Sequence, residues 1–475
     1  MLVLLVLLAG GLFLSFGSRI IAEPFGDSHD GRNAGVWAAG GRALRDGPVD
    51  SRLGTRSHEV GTYANHPPLI AAEIAVADTL GGGSTAATRA PAWIGTLVTL
   101  GLLALLLRER GLRASATGIA VLLVAATPMV LVFGTMLDTP VTSLPFAVAL
   151  LLLWERARAG RRVSPALAAG AAGLAVLAGW QSLLVAGVVA CWALVRAVRG
   201  QARRGSEGAF VAGALVGAAL LAAWLWWAFD GSLRPLAAAY AFRSGETVPI
   251  AFDELLARIL HDGRVMLGVP AFLGVLGLVP ALARRSTRGL AVVALAVTVP
   301  YPLVFRAGAM NHEYWNFWFV LPIAVGLAAG SDWVLGALAH RRRPDVALVG
   351  LAAGVAGVLV LGAWVQPTAP GWATQEGARA GAVAGAGTLP PDQAVAWYAG
   401  AIGKPASWIS LPTRRPAVPV ALPDVERLAA ERPGDLILVG RGECRFGAPR
   451  ISYARETPAD VLARPPDVSL CRRTP

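Results

Sequence analysis

The sequence is poor in charged residues, cysteine and lysine. Charged side chains make up 15% of its 475 residues, whereas about 25% is usual for soluble domains. Three cysteines are too few for a disulfide-rich secreted scaffold, and an apolar content of 55% excludes a disordered chain. These shortages exclude a single soluble globule and leave a polytopic membrane protein with water-exposed parts.

The sequence also lacks the usual motifs for metals and nucleotides. It contains no His-Glu-x-x-His, no cysteine pair at zinc spacing, no Asp-x-Asp and no glycine-rich phosphate loop after a strand. We therefore expect no metal and no cofactor. The same absences argue against a nucleotide sugar or ATP as the substrate.

Eleven apolar segments are present, each close to the ~20 residues that cross a bilayer, or shorter. They are 1–20, 90–107, 114–133, 141–154, 166–178, 182–195, 209–229, 266–283, 289–305, 317–338 and 347–365. The first is interpreted as a span rather than a signal peptide, because it has no basic start and no clear cleavage site. The predicted fold class is mainly α, a polytopic transmembrane helical bundle.

The arginines are distributed unevenly among the loops. The formal net charge is +12, and seventeen arginines lie in 108–113, 156–162, 196–204, 284–288 and 341–343. The short loops between them, 134–140, 179–182 and 306–316, contain a single arginine, Arg306. The positive-inside rule places the arginine-rich loops in the cytoplasm. Basic residues that alternate with apolar runs indicate a multi-pass protein of the cytoplasmic membrane rather than a nucleic-acid partner.

Two parts of the chain are expected in water outside the cytoplasm. Residues 1–365 form the transmembrane domain, whose first outward loop, 21–89, contains two surface helices, at about 31–46 and from Pro67 to Leu80. Residues 366–475 form a small C-terminal α/β extracytoplasmic domain, with a helical pattern at 424–431 and a strand at 435–440. Cys444 and Cys471 lie in this domain, where a disulfide and two free thiols both remain open.

Polar residues with chemical potential collect in the outward loops. Asp30 lies at the start of the first loop helix, as an N-cap or as a base that faces a lipid-borne substrate. Asp138 follows the third segment, as a turn residue ahead of proline or as a second acid. The stretch 63–69, Tyr-Ala-Asn-His-Pro-Pro-Leu, is the most specific motif. Residues 306–318 enter the tenth segment and combine belt aromatics with a histidine and a glutamate.

This layout resembles the polyprenyl-phosphate-sugar-dependent glycosyltransferases of the GT-C fold. Their group includes protein O-mannosyltransferases and lipid A aminoarabinose transferases, the glycosyltransferase family 39-like enzymes. They have an Asp soon after the first span, a Tyr-x-x-[Lys/His]-Pro-Pro-Leu-like motif before the second, and often a C-terminal outward domain. The resemblance covers the order of the spans and both water-exposed parts.

The resemblance implies roles for individual residues. Asp30 matches the family's catalytic Asp, although Gly31 follows it where the family usually has Glu, and Asp27 is a rival three residues earlier. Asp138 matches a second outward acid. His66 stands at the cationic position that faces the lipid phosphate, and Tyr63 at the aromatic position of the motif. Histidine is a weaker phosphate partner than lysine, because it is only partly charged near neutral pH.

The remaining candidates concern the donor phosphate and its pocket. They are Arg32 beside Asp30, Arg306, and the run His312, Glu313 and Tyr314, since family members have a similar His-x-Tyr lining the donor pocket. Arg234 and Arg243, in the outward segment 230–265, are further cations for a phosphate, but a solvated loop is the preferred interpretation for both.

The implied function is transfer of a hexose or pentose from a polyprenyl-phosphate donor to a glycan, lipid or protein acceptor. One carboxylate acts as general base, and C1 inverts. Two other classes remain open. A transporter or flippase would place charges inside its spans and show paired repeats or broken helices, whereas these spans are almost free of ionisable residues. A membrane-anchored binding protein would depend on residues 366–475 alone.

Overall fold

The computed structural model describes most of the chain up to Val365 and five strands beyond it. The described residues are 1–18, 21, 29–57, 61–201, 206–246, 249–339, 344–365, 396–399, 417–420, 436–440, 451–452 and 468–471. The predicted helix at 424–431, Asp27 and Cys444 lie outside these residues.

The described part is dominated by helices. In chain order the α-helices are α1 (Leu2–Gly17), α2 (His29–Asp46), α3 (Leu69–Leu80), α4 (Thr85–Glu109), α5 (Ala114–Ala125), α6 (Thr139–Thr142), α7 (Leu144–Arg158), α8 (Pro165–Ala178), α9 (Trp180–Val198), α10 (Ser206–Ala228), α11 (Arg234–Ser244), α12 (Phe252–Asp262), α13 (Gly268–Ala283), α14 (Arg285–Thr298), α15 (Pro300–Val304), α16 (Arg306–Asn311), α17 (Val320–Ala337) and α18 (Pro344–Val365). Two π-helical stretches, Met129–Phe133 and Gly263–Leu267, and the 3₁₀ helix Glu313–Phe319 lie between them.

All eleven predicted apolar segments are helical. Among the described residues, eight helices or joined helices are long and apolar enough to cross a membrane. They are Thr85–Glu109, Thr139–Arg158, Trp180–Val198, Ser206–Ala228, Phe252–Ala283, Arg285–Val304, Glu313–Ala337 and Pro344–Ala363. The other three, α1, α5 and α8, are shorter apolar helices. The predicted helical membrane bundle is therefore confirmed.

Glycines permit the close helix packing that their abundance in the apolar segments predicts. A β-carbon at Gly277 of α13 would collide with the carbonyl of Gly326 on α17, and one at Gly213 of α10 would collide with the backbone of Ala169 on α8. These helices therefore touch through their backbones, as is typical where small residues line a membrane helix interface.

The predicted break between the fifth and sixth segments is present at Gly179. This residue separates α8 from α9 with an extended backbone (φ 179°, ψ 163°). A β-carbon there would come within 2.8 Å of the Ser143 side chain. The hydroxyl of Ser182 donates to the carbonyls of Ala175 and Gly179, at 2.6 and 2.9 Å. The two helices are therefore distinct, and Trp180 begins the second.

The chain divides into two compact units. The first consists of 1–19, 64–70 and 91–365, and the second of 20–63, 71–90 and 366–475. The predicted separate domain at 366–475 stays a prediction. The assignment of the loop 21–89 to the transmembrane domain stays a prediction.

The second unit contains the predicted loop helices. Helix α2 packs closely on α3, since a β-carbon at Gly41 would collide with Ile74. The carboxylate of Asp78 on α3 is fully buried and lies 3.9 Å from Arg42 and 3.8 Å from Arg45 of α2. A short antiparallel pair, β1 (Arg56–Ser57) and β2 (Gly61–Thr62), follows α2.

The strands beyond residue 365 form a five-stranded mixed sheet. They are β3 (Ala396–Ala399), β4 (Ala417–Val420), β5 (Leu436–Gly440), β6 (Ile451–Ser452) and β7 (Val468–Cys471). Their order is β4-β3-β5-β7-β6, with β3 parallel to β4 and β5, and β7 antiparallel to β5 and β6. The strand predicted at 435–440 is confirmed as β5.

Candidate active site

A small cavity in the first unit brings together four parts of the sequence. We call it the His66 cavity, and its volume is about 180 Å³. Its lining consists of Asn65, His66, Trp180, Leu236, Ala239, Tyr240, Arg243, Tyr301, Phe305 and Trp315. Pockets for drug-sized ligands usually measure ~300–1,000 Å³. The His66 cavity therefore has room for one compact group rather than for a whole lipid-linked sugar.

The motif at 63–69 is anchored on both sides of the histidine. The indole Nε1–H of Trp180 donates to the carbonyl of Asn65 at 2.8 Å. The Nδ1 of His66 lies 3.2 Å from the hydroxyl of Thr139. His66 itself is buried. Trp180 therefore holds the backbone before His66, and Thr139 holds the imidazole itself.

Thr139 links His66 to Asp138, the acid that precedes Thr139 in the sequence. The carboxylate of Asp138 accepts from the backbone N–H of Thr139 at 2.6 Å and from its hydroxyl at 3.3 Å. Asp138 thus caps the short helix α6, which fits its interpretation as a turn residue, and it is 5% exposed. The same contacts place it one hydroxyl group away from His66. In this geometry Asp138 can be both the N-cap of α6 and an acid of the candidate active site.

His66 is neutral in this environment. Burial, with smaller contributions from the nearby charge of Arg243 and from His312, lowers the pKa of His66 well below its ordinary value of 6.5. The motif position that the family resemblance makes cationic is therefore uncharged here, because a buried imidazole loses hydration when it is protonated. A neutral imidazole still offers one N–H donor. The Thr139 hydroxyl has one proton, which goes either to Asp138 or to His66 Nδ1. When it goes to Nδ1, the imidazole donor is Nε2–H.

The positive charge at the His66 cavity belongs to Arg243. It is the one cation among the described lining residues, and it is half-buried near the end of α11. Its guanidinium carbon lies 5.8 Å from the centroid of the Trp315 ring, a cation–π distance. A guanidinium stays charged and binds phosphate oxygens in a bidentate manner. Arg243 is therefore the side chain best suited to hold an anion in this cavity.

Aromatic rings form the rest of the wall. Tyr301 lies 4.9 Å from Phe305 and 5.4 Å from Trp315, centroid to centroid, and Tyr240 lies 5.6 Å from Phe305. The ring of His312 lies 5.7 Å from that of Trp315. Such a wall excludes water and strengthens the interaction between Arg243 and a bound anion.

The segment predicted to line the donor pocket is held by an ion-pair network. Arg258 of α12 pairs with Glu313 at 2.6 Å and with Asp262 at 3.1 Å. Asp262 also accepts from the side-chain amide of Asn316 at 2.9 Å. Glu313 is therefore engaged with Arg258, and the network fixes the 3₁₀ helix Glu313–Phe319 that carries Trp315. Tyr314 is buried, with its ring 5.1 Å from that of His312 and 5.9 Å from that of Phe133.

The remaining predicted residues are placed differently or not described. Tyr63 stacks on Trp37 at 5.4 Å in a T-shaped arrangement within the second unit. Arg306 is exposed, and its Nε donates to the carbonyl of Leu303 at 3.2 Å. Neither belongs to the described lining of the His66 cavity. Asp30 stands in the first turn of α2, while its side chain and that of Arg32 lie outside the described residues.

The choice between a disulfide and two free thiols in the C-terminal domain stays open. Cys444 and the side chain of Cys471 lie outside the described residues. Among the groups that the structure does describe, no three His, Cys, Asp or Glu residues are placed to hold a metal ion. Independence from metals stays a prediction.

Sequence reasoning undervalued Arg243 and missed Thr139, Trp180 and Tyr301. One signal was available for the arginine. Leu236, Tyr240 and Arg243 follow one another at spacings of four and three residues, which places them on one face of a helix. The other residues carry no local signal, because they reach the cavity only through tertiary packing.

Comparisons with known proteins agree with this architecture. Residues 65–227, which include the histidine motif and Asp138, match the family model described as dolichyl-phosphate-mannose-protein mannosyltransferase. The structure of ArnT from Cupriavidus metallidurans in the apo state superposes with a TM-score of 0.60 at 15% identity, over 97% of both chains. The chain has the GT-C fold of membrane glycosyltransferases. The predicted resemblance is therefore confirmed.

Two further GT-C structures are similar over most of this chain. The oligosaccharyltransferase AglB from Archaeoglobus fulgidus has a TM-score of 0.56 at 13% identity, over 92% of this chain and 69% of AglB. The arabinofuranosyltransferase AftD from Mycobacteria has a TM-score of 0.53 at 15% identity, over 100% of this chain but only 40% of AftD. No curated protein matches the sequence. At these identities the GT-C fold is shared, while donor and acceptor are not determined by it.

Proposed function

We propose that this protein is a glycosyltransferase that moves a sugar from a polyprenyl-phosphate donor to an acceptor hydroxyl outside the cytoplasm. The observation that carries the proposal is the His66 cavity, where Arg243 and neutral His66 lie against an aromatic wall, one hydroxyl group away from Asp138. Solved GT-C structures support it, since ArnT has been solved bound to undecaprenyl phosphate and AglB with a dolichol-phosphate.

The proposed role of the cavity is to stabilise the leaving phosphate. As the bond between the sugar C1 and the phosphate oxygen breaks, its electron pair stays on the phosphate and negative charge grows there. Arg243 and an N–H of His66 act on that charge, so that they stabilise the transition state more than the ground state. The phosphate leaves without a proton, and no acid is needed on this side, unlike in a glycosidase.

The proposed role of the carboxylate is to activate the acceptor. The hydroxyl oxygen of the acceptor attacks C1 from the side opposite the leaving phosphate, so that C1 inverts. The hydroxyl proton passes to a general base. Asp30 is the first candidate for this base, with Asp27 and Asp138 as rivals. An aspartate in this role typically contributes ~10²–10⁴-fold. His312, Tyr314 and Arg32 remain proposed contacts of the donor, and the acceptor class can be a glycan, a lipid or a protein.

A direct test uses the full-length protein in nanodiscs with synthetic polyprenyl-phosphate sugars. We expect Asp30→Asn to abolish transfer while the affinity for the donor stays unchanged. Asp27→Asn and Asp138→Asn are tested in parallel, and exposed Asp253→Asn is the matched control. Full activity of Asp30→Asn beside inactive Asp27→Asn or Asp138→Asn would move the role of base to that residue.

The same preparation separates an enzyme from a transporter. In sealed vesicles, a flippase would move the intact lipid-linked sugar across the bilayer without forming a glycosylated acceptor. Bound donor that crosses the membrane with no transfer to any of several hydroxyl acceptors would reject the glycosyltransferase proposal.

A further inference from the structure

A second cleft, larger than the His66 cavity and lined by other residues, lies in the first unit. Its volume is about 1140 Å³, and its walls come mainly from α13 and α17, with Leu348 of α18. Among the residues that the structure describes, none lines both this cleft and the His66 cavity. Large apolar side chains in its walls are open to the surroundings, with Val279 70% and Trp333 65% exposed.

The floor of the cleft follows from the contact between α13 and α17. These helices meet through Gly274, Gly277 and Gly326, where an added β-carbon would collide with the opposite backbone. Larger side chains such as Leu273 and Leu276 stand beside this glycine seam on α13 and line the cleft. The result is a largely apolar cleft between membrane helices, whose lining suits a hydrocarbon chain.

One end of the cleft is charged. The Arg284 guanidinium pairs with the Asp332 carboxylate at 2.6 Å. The same carboxylate accepts from the backbone N–H of Arg113 at 2.9 Å, and the Arg113 guanidinium donates to the Asp332 carbonyl at 3.1 Å. Two cations thus surround one anion. The Arg284 side chain is 46% exposed, so that part of its guanidinium can accept a further anionic partner.

We propose that this cleft, the arginine cleft, binds one anionic glycerophospholipid. The lipid phosphate lies against Arg284 and Arg113, and its acyl chains lie along the groove between α13 and α17. A rim with a net positive charge favours an anionic over a zwitterionic headgroup, and open apolar walls favour a bilayer lipid over a water-soluble anion. Arg284 and Arg113 belong to the loops that the arginine distribution places in the cytoplasm, where anionic lipids are concentrated.

A variant that fills the cleft without replacing a charged residue tests the proposal. Gly336 lines the arginine cleft, and a β-carbon there would be 3.7 Å from the Arg113 guanidinium. Gly336→Leu should therefore occupy lipid space beside Arg113 while it replaces no charged residue, and leucine favours the helix. Gly350→Leu is the matched control, because Gly350 is exposed on α18 with open space around it.

The readout is native mass spectrometry after reconstitution in bilayers of phosphatidylcholine and phosphatidylglycerol. We expect the wild type and Gly350→Leu to retain one phosphatidylglycerol selectively, and Gly336→Leu to lose it. The variant Arg284→Gln lowers the net charge of the rim by one and should bind phosphatidylglycerol about fivefold more weakly, since one arginine near an anionic surface contributes about that factor. Exposed Arg199→Gln is its control.

Three results would overturn the proposal. The first is equal retention of phosphatidylcholine and phosphatidylglycerol by the wild type. The second is retention that is unchanged in Gly336→Leu. The third is displacement of the retained lipid by a polyprenyl phosphate at equal concentration, which would make the cleft a donor site instead. Correct folding of each variant is checked by its thermal unfolding in the same nanodiscs.

Discussion

The imidazole Nδ1 of His66 and the hydroxyl oxygen of Thr139 lie 3.2 Å apart, although 73 positions separate them in the chain. Thr139 also contacts the Asp138 carboxylate at 3.3 Å through the same oxygen. One hydroxyl therefore connects the histidine of the Tyr-x-x-His-Pro-Pro motif to the acid of the next outward loop. His66 and Asp138, which are separate signals in the sequence, are therefore neighbours in the fold.

Thr139→Val should reduce kcat/KM for sugar transfer by about 5- to 100-fold. The substitution keeps the shape of the side chain but leaves buried His66 Nδ1 without this partner, which costs ~1–3 kcal/mol. Thr142→Val is the matched control, since the Thr142 hydroxyl donates to the backbone carbonyl of Asp138, at 3.3 Å, and not to its carboxylate. Steady-state kinetics in nanodiscs is the measurement. Equal losses in both variants would mean that transfer is sensitive to the loss of any hydroxyl from α6 and that the link to His66 is not special.

Arg243→Gln should weaken binding of a polyprenyl phosphate by about 10- to 100-fold, because a charge-assisted contact contributes ~1.5–3 kcal/mol. Arg234→Gln, an exposed change on the same helix, should leave the affinity unchanged. Binding is followed by intrinsic tryptophan fluorescence, since Trp315 and Trp180 line the cavity. If Arg243→Gln bound the polyprenyl phosphate with unchanged affinity, the phosphate would bind outside the His66 cavity.

The stability of the protein should fall below a pH of about 6.5 because of His66. Its pKa is lowered in the folded state, so the unfolded chain binds the proton more readily. The stabilisation is then complete above the unfolded pKa and is lost as the pH falls towards the folded pKa. In a pH series of thermal unfolding, His66→Asn should lose this dependence. Exposed His261→Asn should keep it, and parallel curves for wild type and His66→Asn would contradict the assignment.

Glu73→Gln should stabilise the protein at neutral pH by ~1–3 kcal/mol. Burial raises the pKa of Glu73 on α3 from its ordinary 4.5 to about 8. A raised pKa gives full stability below the unfolded value, and that stability is lost as the pH rises through the folded value. The wild type should therefore lose stability between a pH of about 4.5 and about 8, and the amide should not. Exposed Glu254→Gln is the control in the same unfolding series.

The fold was largely predictable because its signals are local. A membrane helix needs a run of apolar residues, and this requirement is visible residue by residue. Even the break at Gly179 was marked by a short polar interruption. The helices of the first loop were predicted from two pairs of residues. Gly47-Pro48 directly follows α2, and Pro67-Pro68 directly precedes α3. The strand β5 was visible as a continuous apolar run.

The site was only partly predictable. His66 and Asp138 were visible as polar residues in outward loops, and both lie at the candidate site. Their link through Thr139 was not visible, since nothing in the sequence pairs a threonine after the third apolar segment with a histidine before the second. Arg243 was interpreted as a solvated loop residue, because its neighbours along the chain are mixed in charge, whereas its neighbours in space are aromatic rings.

The sequence by itself determined the helical membrane bundle, the uneven distribution of arginine and the histidine motif, since hydropathy, charge and motif are properties of neighbouring residues. Only the tertiary structure decided which cation stands beside the histidine, and that the histidine is neutral. Both depend on burial and on distances between helices that are far apart in the chain, and an imidazole changes its charge according to those surroundings.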